Sequence, residues 1–159
     1  MTRLRPLRDD ELGRYLEVLR EAYLREIVVS GTMERVDAEK KVEADIAAQL
    51  PDGIRTTDTY VYAVEDDTGK AVGYLWWAKR PDQVGKPMAF VYDVWINEDA
   101  RGRGFGRAAM VALEDEVRRV GLDRIHLNVF GYNTPARQLY QSLGYTEFSV
   151  LMGKRLPPS

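Results

Sequence analysis

With 159 residues, no cysteine and a formal net charge of −2, the chain is long enough to bury a core without covalent staples. Disulfide and thiolate chemistry are excluded, and the near-neutral charge balance gives no footing for general nucleic-acid binding, which needs a basic face. No apolar run is long enough to cross a bilayer, and Met1-Thr2-Arg3-Leu4-Arg5-Pro6 lacks the apolar core of a secretion signal. The expectation is therefore one cytoplasmic domain over residues 1–159, with neither membrane nor nucleic acid as partner.

Residues 3–7 read as a short opening strand closed by Pro6. Asp9-Asp10-Glu11 put negative charge at a helix start, and Leu12, Tyr15, Leu16, Leu19, Tyr23 and Ile27 recur at helical spacing until Ser30-Gly31. A second, more polar helix is predicted over 35–50, with Val42, Ile46 and Leu50 on one stripe, ending at Pro51-Asp52-Gly53. Strands over 60–64 and 71–77 flank the turn Asp66-Asp67-Thr68-Gly69 and predict a hairpin. A loop with Pro81, Gly85 and Pro87 leads into a strand from Ala89 to Ile96, followed by a glycine-rich turn and a helix to Val120. A strand from Ile125 to Phe130 comes next, then a helix with Thr134 as its cap and Pro135 at its first position. That helix ends at Gly144, and a last strand is expected from Tyr145 to Met152. The order β-αα-ββ-β-α-β-α-β describes an α+β fold: a central sheet with helices on its faces.

The turn Arg101-Gly102-Arg103-Gly104-Phe105-Gly106-Arg107 carries the clearest chemical signal. Glycines let the backbone turn tightly and approach a ligand. The free N–H groups of the helix start that follows, aligned with its dipole, attract an anion. Three arginines at the same corner point to phosphate. A Walker loop is excluded because Arg107-Ala108 stand where Lys-Ser/Thr is required. Gly104-Phe105-Gly106-Arg107-Ala108-Ala109 matches the dinucleotide pattern, but Gly131-Tyr132-Asn133 follow the next strand where a ribose-binding acid is needed.

Arg101-x-x-Gly104-x-Gly106 after a strand resembles the acyl-CoA pyrophosphate loop of the general N-acetyltransferase (GNAT) superfamily. Leu127-Asn128-Val129-x-x-x-Asn133-x-x-Ala136-x-x-Leu139-Tyr140-x-x-x-Gly144-Tyr145 resembles that family's second conserved block, so the likeness spans roughly residues 89–152. The resemblance implies a mixed, mostly antiparallel sheet with helices on both faces, and two splayed parallel strands, Ala89–Ile96 and Ile125–Phe130, holding acetyl-CoA as co-substrate with no metal. Main-chain groups of Val94 and Ile96 would take the pantetheine arm, and the amides of Arg101, Gly102, Arg103, Gly104, Phe105, Gly106 and Arg107 the pyrophosphate. Guanidinium contacts from Arg103 and Arg107 are left open, since both fit equally along the helix face. Asn133 and Ala136 fall beside the cofactor arm, although Asn133 also reads as an ordinary turn asparagine.

Tyr140 matches the family tyrosine that protonates the departing thiolate, and a phenol with a pKa near ~10 keeps its proton at neutral pH. Asp93, the one charge between Ala89 and Ile96, shares a face with Val91 and Trp95 by strict alternation. It is a candidate base, or a structural acid at the sheet opening. His126 reads as structural or solvent-facing. Acceptor choice is expected from Tyr15, Tyr23, Glu26 and the Trp76-Trp77 pair, of which one tryptophan is core and the other lines a surface. The implied function is N-acyl transfer from acetyl-CoA to a small-molecule or peptide amine by direct attack, with a homodimer allowed for. The alternative is a domain that binds or senses acyl-CoA without turning it over.

Overall fold

The structure of the protein is a computed structural model that describes residues 1–159. The chain runs β1 (Arg3–Pro6), α1 (Asp9–Ser30), α2 (Arg35–Gln49), β2 (Thr59–Glu65), β3 (Ala71–Pro81), β4 (Pro87–Ile96), α3 (Phe105–Arg119), β5 (Ile125–Leu127) and α4 (Thr134–Ser142). The strands form one sheet in the order β1-β2-β3-β4-β5. Neighbours are antiparallel as far as β4, and β5 is parallel to β4. The predicted order of elements is thus met through α4.

Apolar stripes at helical spacing place helices on both faces. Tyr15, Leu19 and Ile27 of α1, with Ala38, Val42 and Ile46 of α2, bury against Val61, Ala63 and Trp76 on one face. Ala109, Met110, Leu113 and Val117 of α3 bury against Tyr62, Val64, Leu75, Trp77 and Val91 on the other, with Tyr140 and Leu143 of α4 packed beside them. Both tryptophans are core: Trp77 stacks on Tyr60 at 4.2 Å and Trp76 on Tyr92 at 4.6 Å. The expectation that one lines a surface is therefore corrected, because each face of the sheet carries its own helical layer.

Two features differ from the sequence reading and shape the site. The β3–β4 register passes from Trp77↔Val91 to Trp76↔Asp93, so Tyr92 is the extra residue of a β-bulge. Strict alternation fails there. Val91 faces the α3 layer, whereas Asp93, opposite Trp76, faces α1 and shares that face with Trp95 but not with Val91. The expected last strand is absent: residues 145–152 form no ladder, and Phe148, Val150, Leu151 and Met152 are exposed. A strand exists only where another strand's edge satisfies its backbone. β5, at three residues, is half as long as expected, and the start of the tail is held by the Tyr145 N–H to the Tyr140 carbonyl at 3.0 Å, a Tyr140–Tyr145 edge contact, a His126–Phe148 edge contact and an Arg137–Glu147 ion pair.

Candidate active site

β4 and β5 share only the pairs Ala89↔Ile125, Phe90↔His126 and Val91↔Leu127. Beyond them β5 ends and the chain turns toward α4, while β4 continues to Ile96. The main chain from Tyr92 to Ile96 is paired to β3 on one side and has no strand on the other. This opening is the splayed gap expected between the two parallel strands. Val94 and Ile96 lie along it, with their side chains toward the α3 layer.

At the end of β4 a short 3-10 turn, Glu98–Ala100, delivers the chain to the glycine corner. Gly102 and Gly104 have φ of +74° and +84°, conformations that cost an L side chain about 1–2 kcal/mol. Those two residues turn the chain so that α3 opens directly behind the corner. The first helical bond is Ala108 N–H to the Gly104 carbonyl at 3.0 Å, and no side chain caps the helix. The N–H groups of Gly102, Arg103, Gly104, Phe105, Gly106 and Arg107 consequently have no acceptor within the protein, whereas that of Arg101, expected among them, is taken by the Glu98 carbonyl at 3.4 Å, which closes the preceding 3-10 turn. Six consecutive free amides at a helix N-terminus form a ready cradle for an anion. Gly106 lies where a Cβ would meet Leu139 at 3.6 Å and Ile96 at 3.9 Å, so the cradle packs closely between β4 and α4.

The three arginine side chains turn elsewhere. Arg101 donates through Nε to the Ile96 carbonyl at 2.9 Å and lies over the Trp95 ring at 4.6 Å. Arg103 lies over Phe105 at 5.0 Å, and Arg107 donates to the Ser142 hydroxyl on α4. At this corner the main-chain amides are thus left without partners, whereas the Arg101 and Arg107 guanidinium groups have theirs within the protein. On α4, Asn133 is itself the cap, accepting from the Ala136 N–H at 3.2 Å, and Pro135 stands at the second helical position. This corrects the expected Thr134 cap: an asparagine oxygen one residue earlier reaches the free amide.

Asp93, Tyr140 and Glu26 lie within reach of one another's electrostatic field. The bulge turns Asp93 toward α1, where the Tyr15 hydroxyl donates to Oδ2 at 2.7 Å. Burial pushes the Asp93 carboxyl up to about 7; the Tyr15 hydrogen bond opposes the rise and the Glu26 charge adds to it. Burial likewise pushes the Tyr140 phenol up to about 12, with the negative fields of Asp93 and Glu26 adding to it, so it keeps its proton at neutral pH. Burial raises the Glu26 carboxyl too. Tyr132, which the sequence reading did not single out, is an exposed ring stacked beside Phe130 within the field of Glu26. Its one signal was an aromatic residue in the turn after β5. Tyr23 is not part of the cluster: its hydroxyl donates to Asp45 at 2.7 Å and ties α1 to α2. His126 points away, against Phe148. No three metal-ligating side chains converge in the structure, and no helix is long and apolar enough to cross a membrane.

Residues 16–145 match the family model of the acetyltransferase (GNAT) family. The N-acetyltransferase YycN of Bacillus subtilis is 33% identical over 156 residues, covering 96% of this chain and 97% of its own. The crystal structure of YycN, a putative acetyltransferase, superposes with a TM-score of 0.93 at 30% identity, covering 99% of this chain and 100% of that one. The fold is also that of AAC(6')-Iy in complex with the bisubstrate analogue CoA-S-monomethyl-acetylneamine, at a TM-score of 0.67, 17% identity and 99% coverage of both chains. An open gap in the sheet, a cradle of free amides and these relatives agree: the chain belongs to the GNAT family and is an acetyl-CoA-dependent acetyltransferase.

Proposed function

We propose that the protein moves the acetyl group of acetyl-CoA to a primary amine by direct attack, with Asp93 as base and Tyr140 as acid. The amine nitrogen forms its bond to the thioester carbonyl carbon and gives its proton to Asp93. The carbon–sulfur bond then breaks, and the departing thiolate takes the Tyr140 proton. The amides of 102–107 hold the pyrophosphate, the open main chain of Val94 and Ile96 holds the pantetheine arm, and Asn133 and Ala136 shape the start of α4 beside it. With no cysteine in the chain, a thiol-borne acyl-enzyme has no place in the sequence of steps.

The observation that carries this proposal is the Asp93 carboxyl at the sheet opening, held by the Tyr15 hydroxyl at 2.7 Å and by no cation, within the field of the Tyr140 phenol; burial raises the carboxyl to about 7 and the phenol to about 12. Such a pair can accept and donate at the same pH. A domain that only held acyl-CoA would need neither a carboxylate at the opening without a cation nor a protonated phenol within its field. Glu26, Asp93 and the Tyr132 ring favour an acceptor that carries positive charge, and a cytoplasmic setting supplies both acetyl-CoA and reduced surroundings. The experiment is thiol release from acetyl-CoA across a panel of small amines, amino acids and peptides. A member of the panel is expected to be acetylated, and Tyr140→Phe to lower turnover about 100-fold with acetyl-CoA affinity little changed. Tight acetyl-CoA binding with no acceptor, and no effect of Tyr140→Phe, would favour the sensing alternative.

A further inference from the structure

Asp93 has two carboxylate oxygens, and the fold occupies only one of them. Tyr15 donates to Oδ2 at 2.7 Å, while Oδ1 receives no donor from the protein. Tyr15 is fully buried, with its ring 4.6 Å from Tyr74, so its hydroxyl has no freedom to swing away. Glu26 lies eleven residues further along α1, about three helical turns, on the same stripe as Tyr15. The other acids of α1 each have a cation: Asp9 has Arg55, Asp10 has Arg8, Glu11 has Arg5, Glu17 has Arg14 and Glu21 has Arg25. Glu26, half-buried, has none. The titratable groups that act on Asp93 are Tyr15, by its hydrogen bond, Glu26 from α1 and Tyr140 from α4, through their fields, and, behind Tyr15, Tyr74 from β3. Not one of them is a cation.

We propose that Tyr15 is a positioning residue that fixes one oxygen of Asp93 in the core and leaves the other for the amine proton, with the unpaired Glu26 three turns along the same stripe of α1 as the second α1 group acting on that carboxylate. This rests on the assignment of Asp93 as base. The bulge at Tyr92 is what makes the arrangement available, because without it the carboxylate would face the α3 layer and miss α1. The two α1 residues act in opposite directions: a donor to Oδ2 stabilises the carboxylate, and a second negative charge destabilises it.

The titration that tests the clamp needs no acceptor. In the full chain, 13C NMR follows the titration of the Asp93 side-chain carboxyl in wild type, Tyr15→Phe and Glu26→Gln. Tyr15→Phe is expected to raise the midpoint by roughly one pH unit and Glu26→Gln to lower it by roughly half a unit. In the wild type, the Tyr15 ring carbon bonded to oxygen is expected to shift with the same midpoint, a readout that stands even where Tyr15→Phe folds poorly. Unmoved midpoints, or a Tyr15 signal blind to the titration, would overturn the proposal. Undiminished thiol release by Asp93→Asn would overturn the base assignment itself, and with it the catalytic use of the clamp. Dependence on Asp93 with unmoved midpoints would overturn the clamp alone.

Discussion

Asp82 and Asp93 lie eleven positions apart on the β3–β4 hairpin, and their surroundings drive them in opposite directions. Asp82, in the turn, accepts from Arg124 at 2.7 Å and from the Lys86 and Val84 amides at 2.8 and 2.9 Å. Those bonds, Arg124 first, hold its carboxyl down at about 2. Asp93, in the gap, has one tyrosine and no cation, and stands at about 7. The contrast separates a carboxylate that completes a turn from one left short of partners beside a ligand cleft. A protein interior tolerates such a shortage at a cost in stability, and perturbed groups of this kind concentrate at functional sites.

The largest expected effect is on turnover. Asp93→Asn should lower acetyl transfer about 100-fold, whereas Asp82→Asn should leave it within about twofold; equal losses would erase the distinction. Stability gives the next effect. Because the folded-state value of Asp93 is raised, the protein is favoured at low pH and loses that contribution as pH climbs from about 4 to about 7. A rise from 3.8 to about 7 corresponds to at most about 4 kcal/mol. Solvent in the gap reduces it to about 2 kcal/mol. Asp93→Asn should therefore unfold at higher denaturant than wild type at pH 8, with the advantage gone at pH 4. Gly104→Ala comes third: with φ at +84°, the change should cost about 1 kcal/mol of stability and weaken acetyl-CoA binding, while leaving the Asp93 titration where it was. Asp82→Asn is expected to show the smallest effect and the opposite sign. Its depressed value stabilises the fold above about pH 4, so the variant should be less stable at pH 7, with the gap closing as pH falls toward 2.

Much of this was legible in the chain, since local signals suffice for local structure. Apolar spacing announced α1 to α3, and the glycine–arginine corner announced a strand-to-helix turn with free amides. What escaped depends on partners distant in sequence. Strict alternation put Asp93 beside Val91, and only the register against Trp76 and Trp77 reveals the bulge that turns it toward Tyr15. The pattern Phe148-Ser149-Val150 looks like a strand, yet β5 stops at Leu127 and offers it no ladder. Three arginines left guanidinium contacts to phosphate open, and in the structure Arg101 and Arg107 donate within the protein while Arg103 lies over Phe105. Glu26 was noticed as an acid, and its lack of any cation became visible only once its α1 neighbours had found theirs.

The central claim is that the corner before α3 and the unpaired length of β4 together hold acetyl-CoA across the gap. Amide 1H–15N spectra recorded during an acetyl-CoA titration test it most directly. The amides of residues 102–107 and 92–96 should shift in saturable fashion, with those of the Asp66–Gly69 turn unmoved. Saturable binding that leaves 102–107 in place would contradict it.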